Sequence, residues 1–155
     1  MESGECDGLL LAFAGTHRMG YDHLIADELS IATFVPPAGQ GSITLEASDT
    51  LDPSIRDAIR ELVNHEESEL CIKAERSFLK TMQGGCSVPV FSYAHLEQHR
   101  IKLTAGIISL DGSRLIRETG ESSEGPEDLG ESVARRVLEQ GGADILLEIK
   151  SQLDN

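Results

Sequence analysis

Cys86 follows Gly84-Gly85, and a cysteine behind two residues without side chains leaves room for a bulky group to approach its sulfur. A thiol so placed could serve as a nucleophile or a covalent anchor. Its position opposes activation: just past a helix carboxyl terminus it feels the negative end of the dipole, whereas activated cysteines lie at helix amino termini or beside cations. Spacing alone leaves a reactive thiol and an inert, partly buried one both open, and favours the second. Cys71 lies within an amphipathic helical pattern and reads as core, while Cys6 reads as an exposed or flexible thiol. Gln40 stands between Gly39 and Gly41 in a proline-bearing loop, where backbone amides and a side-chain amide can converge on a ligand, although an ordinary tight turn accounts for the same residues. His17-Arg18 follows a short apolar run, and loops at the carboxyl ends of strands in open α/β sheets are where ligands bind. Arg18 is there either a local anion site or a plain surface arginine. The histidines, His17, His23, His65, His95 and His99, show no metal-ligand spacing with the cysteines, so no metal site is expected.

The elements that must carry these residues follow from pattern. Gly8 to Gly15 is a nearly uninterrupted apolar run bounded by glycines, which predicts a strand buried on both faces in a parallel or mixed sheet. Such a strand needs neighbours on both sides, and Met1 to Gly8 cannot supply one. Thr16 to Leu24 reads as a short helix, Ile31 to Phe34 as a brief strand, and Val35 to Gly41 as a loop because it holds two prolines and two glycines. Ser42 to Glu46 alternates as a half-buried strand would. Asp52 then caps a helix with Pro53 at its first position, and Ile55, Ala58, Ile59, Leu62 and Val63 recur at helical spacing. A second helix is predicted from about Glu66 to Met82, with Leu70, Ala74, Phe78 and Met82 on one face, acidic residues near its positive end, and Gly84-Gly85 to end it. Val88 to Tyr93, Arg100 to Leu110 and Arg114 to Thr119 read as strands, the last two joined by a tight turn at Asp111-Gly112-Ser113. Leu129, Val133, Ala134, Val137 and Leu138 mark a helix that stops at Gly141-Gly142, and a last helix covers about Asp144 to Leu153. Three antiparallel strands covered by helices make a small α+β domain from about residue 65 onward.

A chain of 155 residues with 39% apolar composition suits one compact domain or two small ones. Its 27 acidic against 13 basic residues give a formal charge of −14, which repels a phosphate backbone or an anionic membrane, so neither nucleic acid nor membrane is an expected partner. The longest apolar run is far short of a membrane span, and the acidic start is unlike a secretory signal, so the cytoplasm is the expected compartment. Three cysteines form no paired framework and are expected to be free thiols.

In order along the chain, DGLLLAFAGTHRMG (7–20), VPPAGQGSITLE (35–46), VNHEESELCIKAERSFL (63–79) and GGCSVPVFSY (84–93) resemble four motifs of the porphobilinogen deaminase (hydroxymethylbilane synthase) family. They are its strand with an Ala-Gly-Leu-x-Arg-Leu-Gly turn, its Pro-Ala-x-Gly-Gln-Gly loop, its Leu-Asn-His helix with Ala-Glu-Arg, and its Gly-Gly-Cys-Gln-Val-Pro loop, the last of them highly specific. The sequence departs from these patterns at Thr16 in place of Leu, at Pro37-Ala38 before Gly39, and at Ser87 in place of Gln.

The resemblance implies a transferase of tetrapyrrole and haem biosynthesis that joins four porphobilinogens with release of ammonia and then hydrolyses the product to hydroxymethylbilane. Growth starts from a dipyrromethane cofactor held by a thioether, here to Cys86. Gly84 and Gly85 would let that loop follow the growing polypyrrole, Arg18 would pair with cofactor or substrate carboxylates, Ala12 and Gly15 would line the site with backbone, and Gln40 would be the glutamine of the interdomain loop. The implied fold is α/β plus α+β: the end of a periplasmic-binding-protein-like α/β domain pair, followed by the small sheet domain. Residues 1–34 would close domain 2, residues 35–62 would return to domain 1, and residues 63–155 would form the cofactor-carrying domain 3. No segment resembles the family's His-Ser-x-Lys-Asp stretch. The resemblance therefore places the catalytic aspartate and most substrate-neutralising cations in a missing amino-terminal half, with no catalytic residue in this chain, no activity for the chain alone, and a monomeric full enzyme. The competing expectations are a non-catalytic binding or structural module that keeps the domain-3 fold and, with no family assumed, an acidic cytosolic α/β ligand-binding fragment.

Overall fold

A computed structural model describes residues 4–83, 87–123 and 125–153, and the chain divides into two units, Met1–Phe34 and Val35–Asn155. In the second unit, Ile101, Leu103, Ala105 and Ile107 alternate with Lys102, Thr104 and Gly106, so one face of this segment is apolar and must be covered. It forms β2 (Arg100–Ile108), the middle strand of an antiparallel sheet, with β1 (Val90–Glu97) and β3 (Leu115–Ser122) on either side. The register pairs Ala94 with Leu103 and Leu103 with Gly120, and the four apolar β2 side chains are at most 4% exposed.

The cover is helical. The α3 helix (Glu66–Thr81) starts where His65 Nδ1 accepts the Ser68 N–H, and Glu66, Glu67 and Glu69 sit at its positive end. It buries Cys71, Ala74, Glu75 and Phe78. The α4 helix (Pro126–Val137) buries Leu129, Gly130, Val133, Ala134 and Val137. These two helices cross with almost no space between them: a Cβ on Gly130 would lie 2.3 Å from the Ala74 carbonyl oxygen, so only glycine fits. A break at Gly141, whose φ of 106° suits glycine, redirects the chain into α5 (Ala143–Leu153), which adds Ile145, Leu146 and Ile149 to the core. Each fully buried Phe or Ile side chain stabilises the unit by about 1.5–3 kcal/mol.

Two turns close the sheet. At Ser109 to Arg114, Asp111 Oδ1 accepts hydrogen bonds from Ser109 Oγ (2.6 Å) and the Ser113 N–H (3.1 Å), and Gly112 takes φ 72°. Those donors hold the Asp111 carboxyl down at about 2. The β1–β2 hairpin turns on Gln98 and His99, both at positive φ (50° and 63°) without a glycine, and so lacks the usual Asn-Gly signal.

The expectations for the earlier segments need correction. No strand forms among the described residues of Met1–Phe34, and Leu9, Leu10 and Leu11 are 64%, 77% and 66% exposed rather than buried. An isolated strand has no ladder to satisfy its backbone, so the local alternative wins: Ala12 C=O accepts the Gly15 and Thr16 N–H groups, and α1 (Phe13–Arg18) follows, with a 3-10 turn at Asp22–Leu24. Ile31–Phe34 is a turn, in which Ser30 C=O accepts the Thr33 and Phe34 N–H groups. Ser42–Glu46 is not a strand either, and Ile43 is almost wholly exposed. Among the described residues of 1–62 there is thus no strand, and the expected α/β layer is not shown. The capped helix α2 (Pro53–Val63) is present, with Asp52 accepting the Ser54 N–H at 2.8 Å, yet its apolar face remains uncovered at Ile55, Leu62 and Val63. Polar contacts link it to α3. Arg60 Nη2 and Asn64 Nδ2 both donate to Glu69 (2.7 Å), and with Lys73 they hold that carboxyl down at about 2, Arg60 contributing most. No helix among the described residues is long and apolar enough to cross a membrane.

Protection from amide exchange should separate these regions. Ile101–Ile107 should exchange at least about a hundredfold more slowly than Leu9–Phe13 in the monomer. Equal protection would contradict the difference in packing.

Candidate functional site

The Gly84, Gly85 and Cys86 expectations lie outside the described residues, but the elements on either side of them are well defined. Upstream, α3 ends at Thr81 with the buried Met82 as its C-cap, and Gln83 takes the left-handed conformation (φ 49°) with its N–H donating to Lys80 C=O. Downstream, Val88 and Val90 are partly buried against the core, and Pro89 C=O accepts the Ile108 N–H at 3.1 Å. The segment that carries Cys86 thus leaves the carboxyl end of one core helix and enters the edge strand of the sheet.

That edge is where the Gln40 loop lies. Because β1 has β2 on one side only, the N–H groups on its other side need acceptors. The Ser92 N–H donates to Pro36 C=O (3.0 Å), and the Ala94 N–H donates to Glu75 Oε1 (2.8 Å). The second oxygen of the same carboxylate, Oε2, accepts the Gly39 N–H at 2.7 Å. The loop is shaped by Pro36 and Pro37, by left-handed glycines at 39 (φ 76°) and 41 (φ 84°), and by the Gln40 N–H donating to Pro37 C=O. Gln40 itself is exposed.

Glu75 is 5% exposed, and sequence alone assigns it no role beyond its place in the matched Ala-Glu-Arg motif. The signal was present: with Cys71, Ala74 and Phe78 it falls on the buried stripe of α3, where a carboxylate has no place unless donors are waiting. Burial pushes its carboxyl up, partly offset by the Gly39 and Ala94 N–H groups. Ser92, equally buried, has a side-chain oxygen with no hydrogen-bond partner among the described residues.

Of the other sulfurs, Cys71 is core as expected. Burial, then the Glu75 and Glu67 charges, push its thiol up, which makes it a poor nucleophile. Cys6 is partly rather than fully exposed. In the first unit Arg18 ends α1 with its side chain exposed, Ala12 and Gly15 belong to the first turn, and His17 Nδ1 lies 2.6 Å from Asp22 Oδ1 with its ring stacked on Phe13. The structure therefore joins Gln40 to the two elements that flank Cys86. Arg18, Ala12 and Gly15 form a local group of their own.

Comparison with known proteins gives matches along nearly the whole chain. Residues 1–56 match a family model described as the dipyromethane cofactor binding domain of porphobilinogen deaminase, and residues 69–139 match that of its C-terminal domain. A porphobilinogen deaminase of Desulfosudis oleivorans is 47% identical over 154 residues, covering 98% of this chain and 49% of the relative. Those of Cytophaga hutchinsonii and Carboxydothermus hydrogenoformans are 46% and 37% identical, covering 99% and 97% of this chain and 49% and 48% of their own length. The chain spans about half the length of the curated relatives it matches.

The raised Glu75 carboxyl has a consequence for pH. A folded-state pKa above the unfolded value of 4.5 means that the folded chain binds the extra proton, so stability falls as pH rises from 4.5 through the folded pKa and is level beyond it. The stability difference between the parent and Glu75→Gln, followed by denaturant unfolding from pH 4 to 8, should accordingly shift against the parent as pH rises. A pH-independent difference would show that the carboxyl is not raised.

Proposed function

Because the chain belongs to the porphobilinogen deaminase family, we propose that residues 1–155 form the carboxyl-terminal half of a hydroxymethylbilane synthase, with Cys86 as the covalent anchor of a dipyrromethane cofactor. The observation that carries the assignment is the Gly84-Gly85-Cys86 segment within the matched C-terminal domain, between a buried helix end at Met82 and the edge strand β1. The described thiols suit this division of labour. Cys71 is sealed in the core with its thiol pushed up, which suits a structural rather than an anchoring role.

The polar groups available fit a polycarboxylate pyrrole. Arg18 presents an exposed guanidinium and Gln40 an exposed amide, donors of the kind that hold acetate and propionate side chains. Arg18 would orient a carboxylate by a paired hydrogen bond, Gln40 would donate from its amide, and Ala12 and Gly15 would line the site with backbone. When bound, the dipyrromethane supplies the nucleophilic pyrrole carbon onto which porphobilinogen units are added. Cys86 need only attack an electrophilic pyrrole methylene once, forming the C–S bond as the leaving group departs and the thiol proton is released. A permanently ionised thiolate is not needed, so the opposing helix dipole is no obstacle.

In a protein of the relatives' full length, Leu9–Phe13 and Ser42–Glu46 would be strands of a periplasmic-binding-protein-like α/β domain pair, completed by neighbours from the other half. Their present exposure supports that reading. Substrate would bind between the halves, and the group that assists ammonia loss would come from the other one.

Residues 1–155 joined behind the preceding half of the Desulfosudis oleivorans relative should consume porphobilinogen, and residues 1–155 alone should not. In the joined protein Cys86→Ser should lower turnover by more than about a thousandfold, while Cys6→Ser and Cys71→Ser should retain it. Turnover by the isolated chain would contradict the division between halves, and an active Cys86→Ser protein would contradict the anchor.

A further inference from the structure

Glu75 is a buried carboxylate whose two oxygens are both taken by backbone N–H groups from segments far apart in sequence, Gly39 at 2.7 Å and Ala94 at 2.8 Å. Stability alone does not require a carboxylate here. The Ala94 N–H lies on a sheet edge where a neighbouring backbone could accept it, as Pro36 C=O accepts the Ser92 N–H at 3.0 Å, and an apolar residue would fill the α3 stripe at lower desolvation cost. What only a two-oxygen acceptor does is tie the Gly39 backbone to α3 and to β1 at once.

The two fixed points on the loop stand four residues and one residue before Gln40. Pro36 is held through its carbonyl and Gly39 through its N–H, Pro36 and Pro37 have fixed φ, and Gly39 and Gly41 are left-handed. Those constraints restrict the backbone that leads into Gln40, which is itself exposed. The elements that hold it, α3 and β1, are the same two that bracket Gly84 to Cys86. We propose that Glu75 is the positioning residue of this site: it clasps the Gly39 N–H and so holds Gln40 in a fixed relation to both ends of the cofactor loop. The inference rests on the function proposed above and assigns Glu75 no contact with substrate or cofactor.

Two measurements test it. In residues 1–155, Glu75→Met keeps the side-chain volume and removes both acceptors. The Gly39 and Ala94 amides should then exchange about tenfold or more faster, relative to Leu103 in the middle of the sheet. Gly39 exchange unchanged relative to Leu103 would overturn the clasp. In the protein joined to the Desulfosudis oleivorans half, Glu75→Met should lower kcat/KM for porphobilinogen about tenfold when Gln40 is present and less than about twofold when it is combined with Gln40→Ala, because a residue acting through Gln40 has nothing left to position. Equal losses in both backgrounds would make Glu75 structural only and overturn the proposal. Should Glu75→Met fail to fold, Glu75→Gln, which keeps one acceptor, carries the same comparisons with the same signs. A joined parent protein without turnover would overturn the functional reading and with it the role of Gln40, while Gly39 exchange would still decide the clasp.

Discussion

A carboxylate with 5% exposure must find donors or lose its charge, and at Glu75 the donors are the amides of Gly39 and Ala94. Much of the second unit is arranged around that requirement. The α3 helix must lie along the free edge of β1 for the Ala94 N–H to be reached, and the Pro36–Gly41 loop must fold back over the same edge for the Gly39 N–H to be reached. That loop and that carboxylate occupy donors that an edge strand would otherwise offer to another chain. Where α3 meets α4 the constraint is steric, since Gly130 lets α4 approach until a single added carbon would strike the Ala74 carbonyl. The helix is fixed by hydrogen bonds at Glu75 and by close packing at Ala74.

Charge is distributed in keeping with this division. The chain carries a formal −14, and many of its cations are spent locally: Arg60 and Lys73 on Glu69, Arg100 on Glu121, Arg136 on Glu118. These exposed pairs contribute little each to stability. They do leave the sheet domain without a surplus of positive charge for a substrate bearing several carboxylates. The proposed function therefore draws most of the neutralising charge from the other half of a longer protein, with Arg18 as this chain's contribution.

Much of the fold was legible because local and tertiary preferences agree. Asp52-Pro53 start α2 as their chemistry demands, the alternation of Ile101 to Ile107 marks β2 against one buried face, and Asp111-Gly112-Ser113 turn the chain where a short acceptor and a glycine permit it. The failures have physical causes. Leu9 to Ala14 has the composition of a doubly buried strand, but a strand is a property of its neighbours, and none is present among the described residues of its unit. The Gln98-His99 turn is dictated by the pairing of Glu97 with Arg100 rather than by residues that prefer positive φ. At the site, Cys86 stood out through its glycines and acquired a role only through the family resemblance. Glu75 was passed over because a glutamate in a helix reads as surface until its neighbours at Cys71, Ala74 and Phe78 are seen to be buried.

The proposed function stands or falls on Cys86 as the covalent attachment point of a dipyrromethane. Intact-mass measurement of the protein joined to the Desulfosudis oleivorans half, produced in cells that make porphobilinogen, tests it most directly when followed by peptide mapping. A mass excess of two linked pyrrole units should be confined to the peptide that contains Cys86. An unmodified protein, or the same excess on a peptide containing Cys6 or Cys71, would contradict it.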